Sequence, residues 1–129
     1  MKKLLILSTL LLALLTSCSK APINGKLDGQ WQLTQIDFSN GETVNKKPER
    51  IYFSIQLHLL SLRQTNGDEY LGRFNHTGDS LHINMLEGNK EEMKVFGMDD
   101  TVQHFGVEKL SHSKMILKSE YGRLFFRKF

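Results

Sequence analysis

The chain of 129 residues carries 17 Lys+Arg against 14 Asp+Glu, a formal charge of +3 and a pI near 9.0, with two Pro and one Cys. That length holds one domain and excludes a multidomain enzyme or a large α/β barrel. A single Cys excludes a disulfide scaffold within the chain, and the basic pI raises the question of nucleic-acid binding.

Met1-Lys2-Lys3 is a short basic stretch, and Leu4 to Leu15 is apolar apart from Ser8 and Thr9. A run of about twelve suits the core of an export signal and falls short of the roughly 20 residues of a membrane-spanning helix. Leu15-Thr16-Ser17-Cys18 resembles a bacterial lipobox: an apolar residue and two small ones before Cys. The resemblance implies that Cys18 is acylated on its thiol and becomes the mature N-terminus. The competing reading is an ordinary secretory signal with a chance Cys. Cleavage before Cys18 leaves 112 residues with 15 Lys+Arg against 14 Asp+Glu, a net charge of +1. Part of the basic pI then belongs to the signal, and no basic stripe with interleaved aromatics supports nucleic-acid binding. Residues 1–17 therefore read as a lipoprotein signal peptide. Residues 18–26 read as a lipidated tether, small and polar with Pro22 and Gly25, and residues 27–129 as the folded domain. Ser19 and Lys20 follow the Cys without an acidic cluster. By resemblance to sorting rules in other bacteria, this implies an envelope protein on the outer membrane, facing the periplasm.

From Leu27 onward, short β-rich runs alternate with turn signals. Gln30–Phe38 ends at Ser39-Asn40-Gly41, and residues 40–50 read as a polar loop with Pro48. Ile51–Thr65 reads as one long β-rich run, closed by Asn66-Gly67, a strong two-residue hairpin signal. Tyr70–Thr77, Gly78-Asp79 and Ser80–Leu86 follow. Val102–Leu110, Lys114–Ser119 and Arg123–Phe129 complete the set. Turn signals every 8–12 residues or so predict an all-β domain, a sandwich or barrel.

Register follows from the turns. A two-residue loop at Asn66-Gly67 sets Leu59 opposite Phe74, and one at Gly78-Asp79 sets Phe74 opposite Ile83 and Asn75 opposite His82. One face then collects Ile51, Phe53, Ile55, Leu57, Leu59, Tyr70, Phe74, Leu81, Ile83 and Met85, and the other Ser54, Gln56, His58, Arg73, Asn75, His82 and Asn84. Leu60, Leu62 and Leu71 fall on the wet face, unless a bulge near His58–Leu60 turns the first two inward. A turn at Tyr121-Gly122 sets Leu117 opposite Phe126 and Met115 opposite Lys128. Leu124 and Phe126 then face in, Arg127 faces out, and Glu120 pairs with Arg123. Asn89-Lys90-Glu91-Glu92 carries a cap residue with a carboxylate three later. Met93 and Phe96 follow, with Gly97 as C-cap, so a short helix is expected with Met93 and Phe96 on the barrel. It either fills one barrel end or acts as a lid.

Gly29-Gln30-Trp31, after Leu27-Asp28, resembles the Gly-x-Trp signature of lipocalins and wider calycins. With the lipobox, the strand count and the mature length, the chain is similar to the small lipocalin-like lipoproteins of Bacteroides-type bacteria. That resemblance implies an antiparallel up-and-down β-barrel of about eight strands with Trp31 at its closed base. It also implies an Arg from the last strand over the indole, a role that falls to Arg127 or, failing that, Arg123. The family also implies a cavity for a small hydrophobic or amphipathic ligand, here lined by Phe53, Ile55, Leu57, Tyr70, Phe74, Ile83, Met85, Met115, Leu117 and Phe126. An interior filled by those side chains is the equal alternative at this point.

Chemistry is sparse. His58, His76, His82, His104 and His112 show no zinc spacing and no HExxH motif. Asp99-Asp100 and Glu91-Glu92 read as solvated loop charges, and no nucleophile elbow or phosphate loop is present. Gly72 and Gly106 inside strands read as bulges or bends. The expectation is a non-enzyme with no metal or cofactor, binding the membrane through its lipid and a small hydrophobic ligand in its barrel. The alternative is an interaction module of the envelope, an inhibitor or complex subunit with a filled barrel and an unnamed protein partner.

Overall fold

The computed structural model describes residues 24–129. The expectations for the signal peptide, Cys18 and most of the tether lie outside that range. The strands are β1 (Gly29–Phe38), β2 (Thr43–Asn45), β3 (Ile51–Gln56), β4 (Leu59–Gln64), β5 (Glu69–Thr77), β6 (Ser80–Met85), β7 (Val102–Leu110), β8 (Lys114–Lys118) and β9 (Gly122–Lys128). All neighbours pair antiparallel, and β9 returns to pair with β1, so eight strands close into a barrel. The short β2, within what reads as a polar loop, adds to β1 outside the ring at Gln35–Asp37. Closure leaves the eight main strands without a free edge. The barrel is the fold the lipocalin resemblance implies.

Ile51–Thr65 is a hairpin rather than one strand. Leu57 adopts φ 57, and Leu57-His58 turns the chain so that Gln56 faces Leu59. The next loop, around Asn66-Gly67, is one residue longer in effect than a two-residue turn: Leu59 pairs with Arg73, not Phe74. A one-residue slip exchanges the faces of a strand. Leu60 and Leu62 are therefore buried, while Leu59 is exposed. The β5–β6 register is as expected, with Phe74 opposite Ile83 and Asn75 opposite His82. At the last hairpin the slip is two residues: Met115 faces Phe126 and Leu117 faces Leu124. An even slip keeps the faces, so all four are buried. Arg123 meets Glu108 instead of Glu120.

Two bulges shift phase within strands. Thr34 is the extra residue of β1 against β9, so the inward series runs Trp31, Leu33, Ile36. Glu108 is the extra residue of β7 against β8, so Leu110, and not Lys109, packs toward the core. Gly72, by contrast, sits in regular pairing; a Cβ there would strike the Met85 sulfur.

The segment after β6 forms α1 (Lys90–Met93) and a 3₁₀ turn over Lys94–Phe96. Asn89 Oδ1 accepts from Glu92 N, and Glu92 Oε1 from Asn89 N, a reciprocal capping box. Gly97 ends it at φ 80, with Leu124 and Ile36 pressed where a side chain would stand. The helix so built carries Met93, Phe96 and Met98 into the top of the barrel.

Candidate functional site: the barrel interior and its two ends

The expected lining divides cleanly. Phe53, Ile55, Phe74, Ile83, Met85, Met115, Leu117 and Phe126 are buried, and Tyr70 packs against the same core half-buried. Leu57 does not belong to it. The β3–β4 turn places its side chain outside, 49 % exposed, because the chain reverses there instead of running on as strand. Sequence reasoning missed Leu27, Phe105 and Met98 as core and left Leu60 and Leu62 open; Phe105 is legible only once the phase of β7 is known, and Met98 lies in the loop before β7, outside any strand periodicity.

The interior is occupied by its own side chains. Phe53 packs edge-to-face on Phe126 at 4.8 Å between ring centres and on Phe96 at 6.4 Å, and Phe96 meets Tyr70 at 5.9 Å. Such contacts add about 0.5–1.5 kcal/mol each beyond area burial. Phe53, Phe96 and Phe126 are 1 %, 2 % and 3 % exposed. A ligand-sized void between them would leave these walls accessible surface of their own. They have almost none.

The base is closed by Leu27 and Trp31, both fully buried, with the indole Nε1 donating to Leu27 O at 2.9 Å. The cation over the indole is Lys128, its Nζ 4.9 Å from the ring centre and 3.2 Å from Lys26 O. This corrects the assignment to Arg127. Strand alternation turns Arg127 to the outer wall, where its Nε donates to Gln32 Oε1 at 2.8 Å. Lys128 is next in sequence and β9 pairs Lys128 with Trp31 itself. The stem of Lys128 lies across Gly29, whose φ is 133; a Cβ there would come within 2.7 Å of Lys128 Cε. Gly29, Trp31 and Lys128 thus form one unit.

The top is closed by Met93 and Phe96. Glu92 ties this cover to the wall: Tyr70 Oη donates to Glu92 Oε2 at 2.6 Å. That bond, reinforced by desolvation and the carboxylate charge, pushes the Tyr70 phenol up to about 12. His82 and His104 stand side by side across β6 and β7, 6.1 Å between ring centres. Among the described residues no three metal-ligating side chains converge.

An eight-stranded barrel with a Gly-x-Trp base under a basic side chain defines a lipocalin-like protein. The chain belongs to the lipocalin-like domain family, whose model matches residues 13–129. Among solved structures it is similar to a lipocalin-like protein from Bacteroides uniformis, at a TM-score of 0.68 and 26% identity over 81% of this chain and 100% of that one. An uncharacterized protein from Bacteroides eggerthii shares the fold at a TM-score of 0.58 and 21% identity, over 79% of this chain and 98% of that one. No curated protein matches. The lipocalin-like fold is consistent with ligand binding, and its families are generally binders rather than enzymes.

Proposed function

We propose that the protein is a non-catalytic binding module of the bacterial cell envelope, anchored by a lipid on Cys18, that engages its partner through the outer wall of a filled barrel. The observation that carries this reading is the occupied interior, with Phe53, Phe96 and Phe126 packed on one another between two closed ends. Exposed Leu57, Leu59 and Leu71 on the wall support it, since they share an apolar depression of about 290 Å³. It lies beside the tether: Asn24 Nδ2 donates to Leu57 O at 2.7 Å. Apolar residues grouped beside an attachment point suit a contact surface. The outer membrane and the periplasmic side remain the proposed location, on the sequence after Cys18.

Native mass spectrometry with solvent extraction of the chain expressed without residues 1–17 tests the reading. A mass equal to that of the polypeptide is expected. A stoichiometric extractable lipid would overturn it in favour of the second reading, a hydrophobic ligand admitted when the Asn89–Gly97 cover lifts. That reading draws on the cover's shortness, since buried Met93 and Phe96 with half-buried Val95 are what the helical turns pack on the core. Phe96→Ala separates the two further. It should cost about 3–5 kcal/mol in chemical denaturation, and it should admit an environment-sensitive apolar dye that the folded wild-type protein excludes. Equal dye uptake by the wild type would count against the filled barrel.

A further inference from the structure

On the wall formed by β7, β8, β9 and β1 lies a groove of about 400 Å³. The two bulges build it. At the Thr34 bulge, Thr34 Oγ1 donates to Phe125 O at 3.0 Å and Thr34 O accepts from Lys46 N. That second bond brings the Lys47 turn against the groove. The Glu108 bulge turns Lys109 from the inward to the outward series and sets it opposite Ile116. Ile116 and Phe125, paired across β8 and β9, form a half-buried apolar floor. Lys47, Lys109, Lys114 and Arg127 line it, and no acidic residue does.

None of these four cations makes an ion pair among the described residues. The nearby acids are engaged elsewhere: Glu49 with Lys46, Glu108 with Arg123, and Asp37 with Gln35 and Thr43. Four like charges on one groove is a strong local concentration for a chain whose whole formal charge is +3. A bound counter-charge relieves their mutual repulsion beyond what solvent screening does. Gln32 holds Arg127 by Nε alone, which orients the guanidinium and leaves its Nη donors for a ligand. The volume lies within the small-molecule range of about 300–1,000 Å³.

We propose that this groove binds an amphipathic phosphate ester, with its phosphate among Lys109, Lys114 and Arg127 and its apolar part on Ile116 and Phe125. A phosphomonoester carries about −1.5 to −2 charges and three acceptor oxygens. That matches several cations better than a single carboxylate does. The assignment rests on the outer-wall reading and gives it a ligand class. The ester is either a free metabolite or a lipid headgroup, and the test separates the two.

Calorimetric titration of the mature chain bearing Cys18→Ser with octyl phosphate, below its micelle concentration, provides the test. One-to-one binding is expected, weakening with added salt, with octanol silent. Lys109→Glu combined with Lys114→Glu should weaken it about tenfold or more, with an unchanged melting profile showing the fold intact. Phe125→Ala should remove the preference for octyl phosphate over inorganic phosphate. Co-sedimentation with phosphatidylcholine vesicles containing phosphatidic acid, but not with phosphatidylcholine alone, assigns a headgroup; binding of the soluble ester alone assigns a free ligand. No binding in either arm overturns the groove assignment, and with a ligand-free barrel it leaves the outer-wall reading standing. Equal binding by the wild type and the double lysine variant also overturns it. If Phe96→Ala then raises the affinity, the ligand sits inside the barrel and the outer-wall reading falls as well.

Discussion

Trp31 is the single Trp of the chain, which makes it a reporter of its own cover. Lys128→Met keeps the stem over Gly29 and removes the charge above the indole. It should cost about 0.5–1 kcal/mol in denaturant melts and shift the Trp31 emission. Arg127→Met should leave that emission unchanged, although it strands the buried Gln32 amide. The contrast checks the reassignment directly. Sequence alternation alone already turned Arg127 outward; the family resemblance pulled the other way because it specifies a cation near the last strand's end, and β9 supplies one at the next residue. At the other end, Glu92 holds Tyr70 protonated. The raised phenol stabilises the folded state below the unfolded pKa near 10, and that contribution is lost as pH rises through about 12. Glu92→Gln should bring the Tyr70 titration back toward 10, read by phenolate absorbance in a chain with Tyr52 and Tyr121 changed to Phe.

The β3–β4 hairpin turns on a non-glycine residue in the left-handed region, which costs L-residues roughly 1–2 kcal/mol. Leu57 is about half exposed and loses little burial on replacement. Leu57→Gly should therefore stabilise the fold by about 0.5–1 kcal/mol, measured as a higher denaturation midpoint at unchanged slope. That turn was invisible in the sequence for a physical reason. Ser54-Ile55-Gln56-Leu57-His58-Leu59 keeps strand alternation through the reversal and carries no Gly, Pro, Asn or Asp. The Gly78-Asp79 turn and the Asn89 capping box, which do carry the residues their geometry demands, were legible to the individual register pair and hydrogen bond. Bulges at Thr34 and Glu108 were not, because an extra residue changes phase without changing composition. The cavity lining was legible as an apolar set. Whether it encloses space was not, since that depends on how Phe53, Phe96 and Phe126 meet.

For the molecule as a whole, the proposed anchor predicts a sharp partition. Cys18→Ala should move the expressed protein from the membrane fraction to the soluble one while leaving the barrel's melting unchanged, because the described core from Leu27 to Phe126 does not include residue 18. The electrostatics are equally uneven: a nearly balanced chain gathers four cations on the β7–β1 wall and three exposed leucines beside the tether. One architectural fact reaches beyond binding. In the ring, β1 pairs with β3 close by in sequence and with β9 at the far end of the chain, with β2 to β8 lying between β1 and β9. Trp31 pairs with Lys128, and Phe129 N donates to Gln30 O at 2.8 Å. Without β9, β8 and most of β1 would stand as unpaired edges. Pairing β9 with β1 carries a loop-closure entropy cost that grows with the length of chain between them. Barrel closure thus depends on seven residues at the far end of the sequence, and a chain lacking them would offer two strand edges to association with its neighbours.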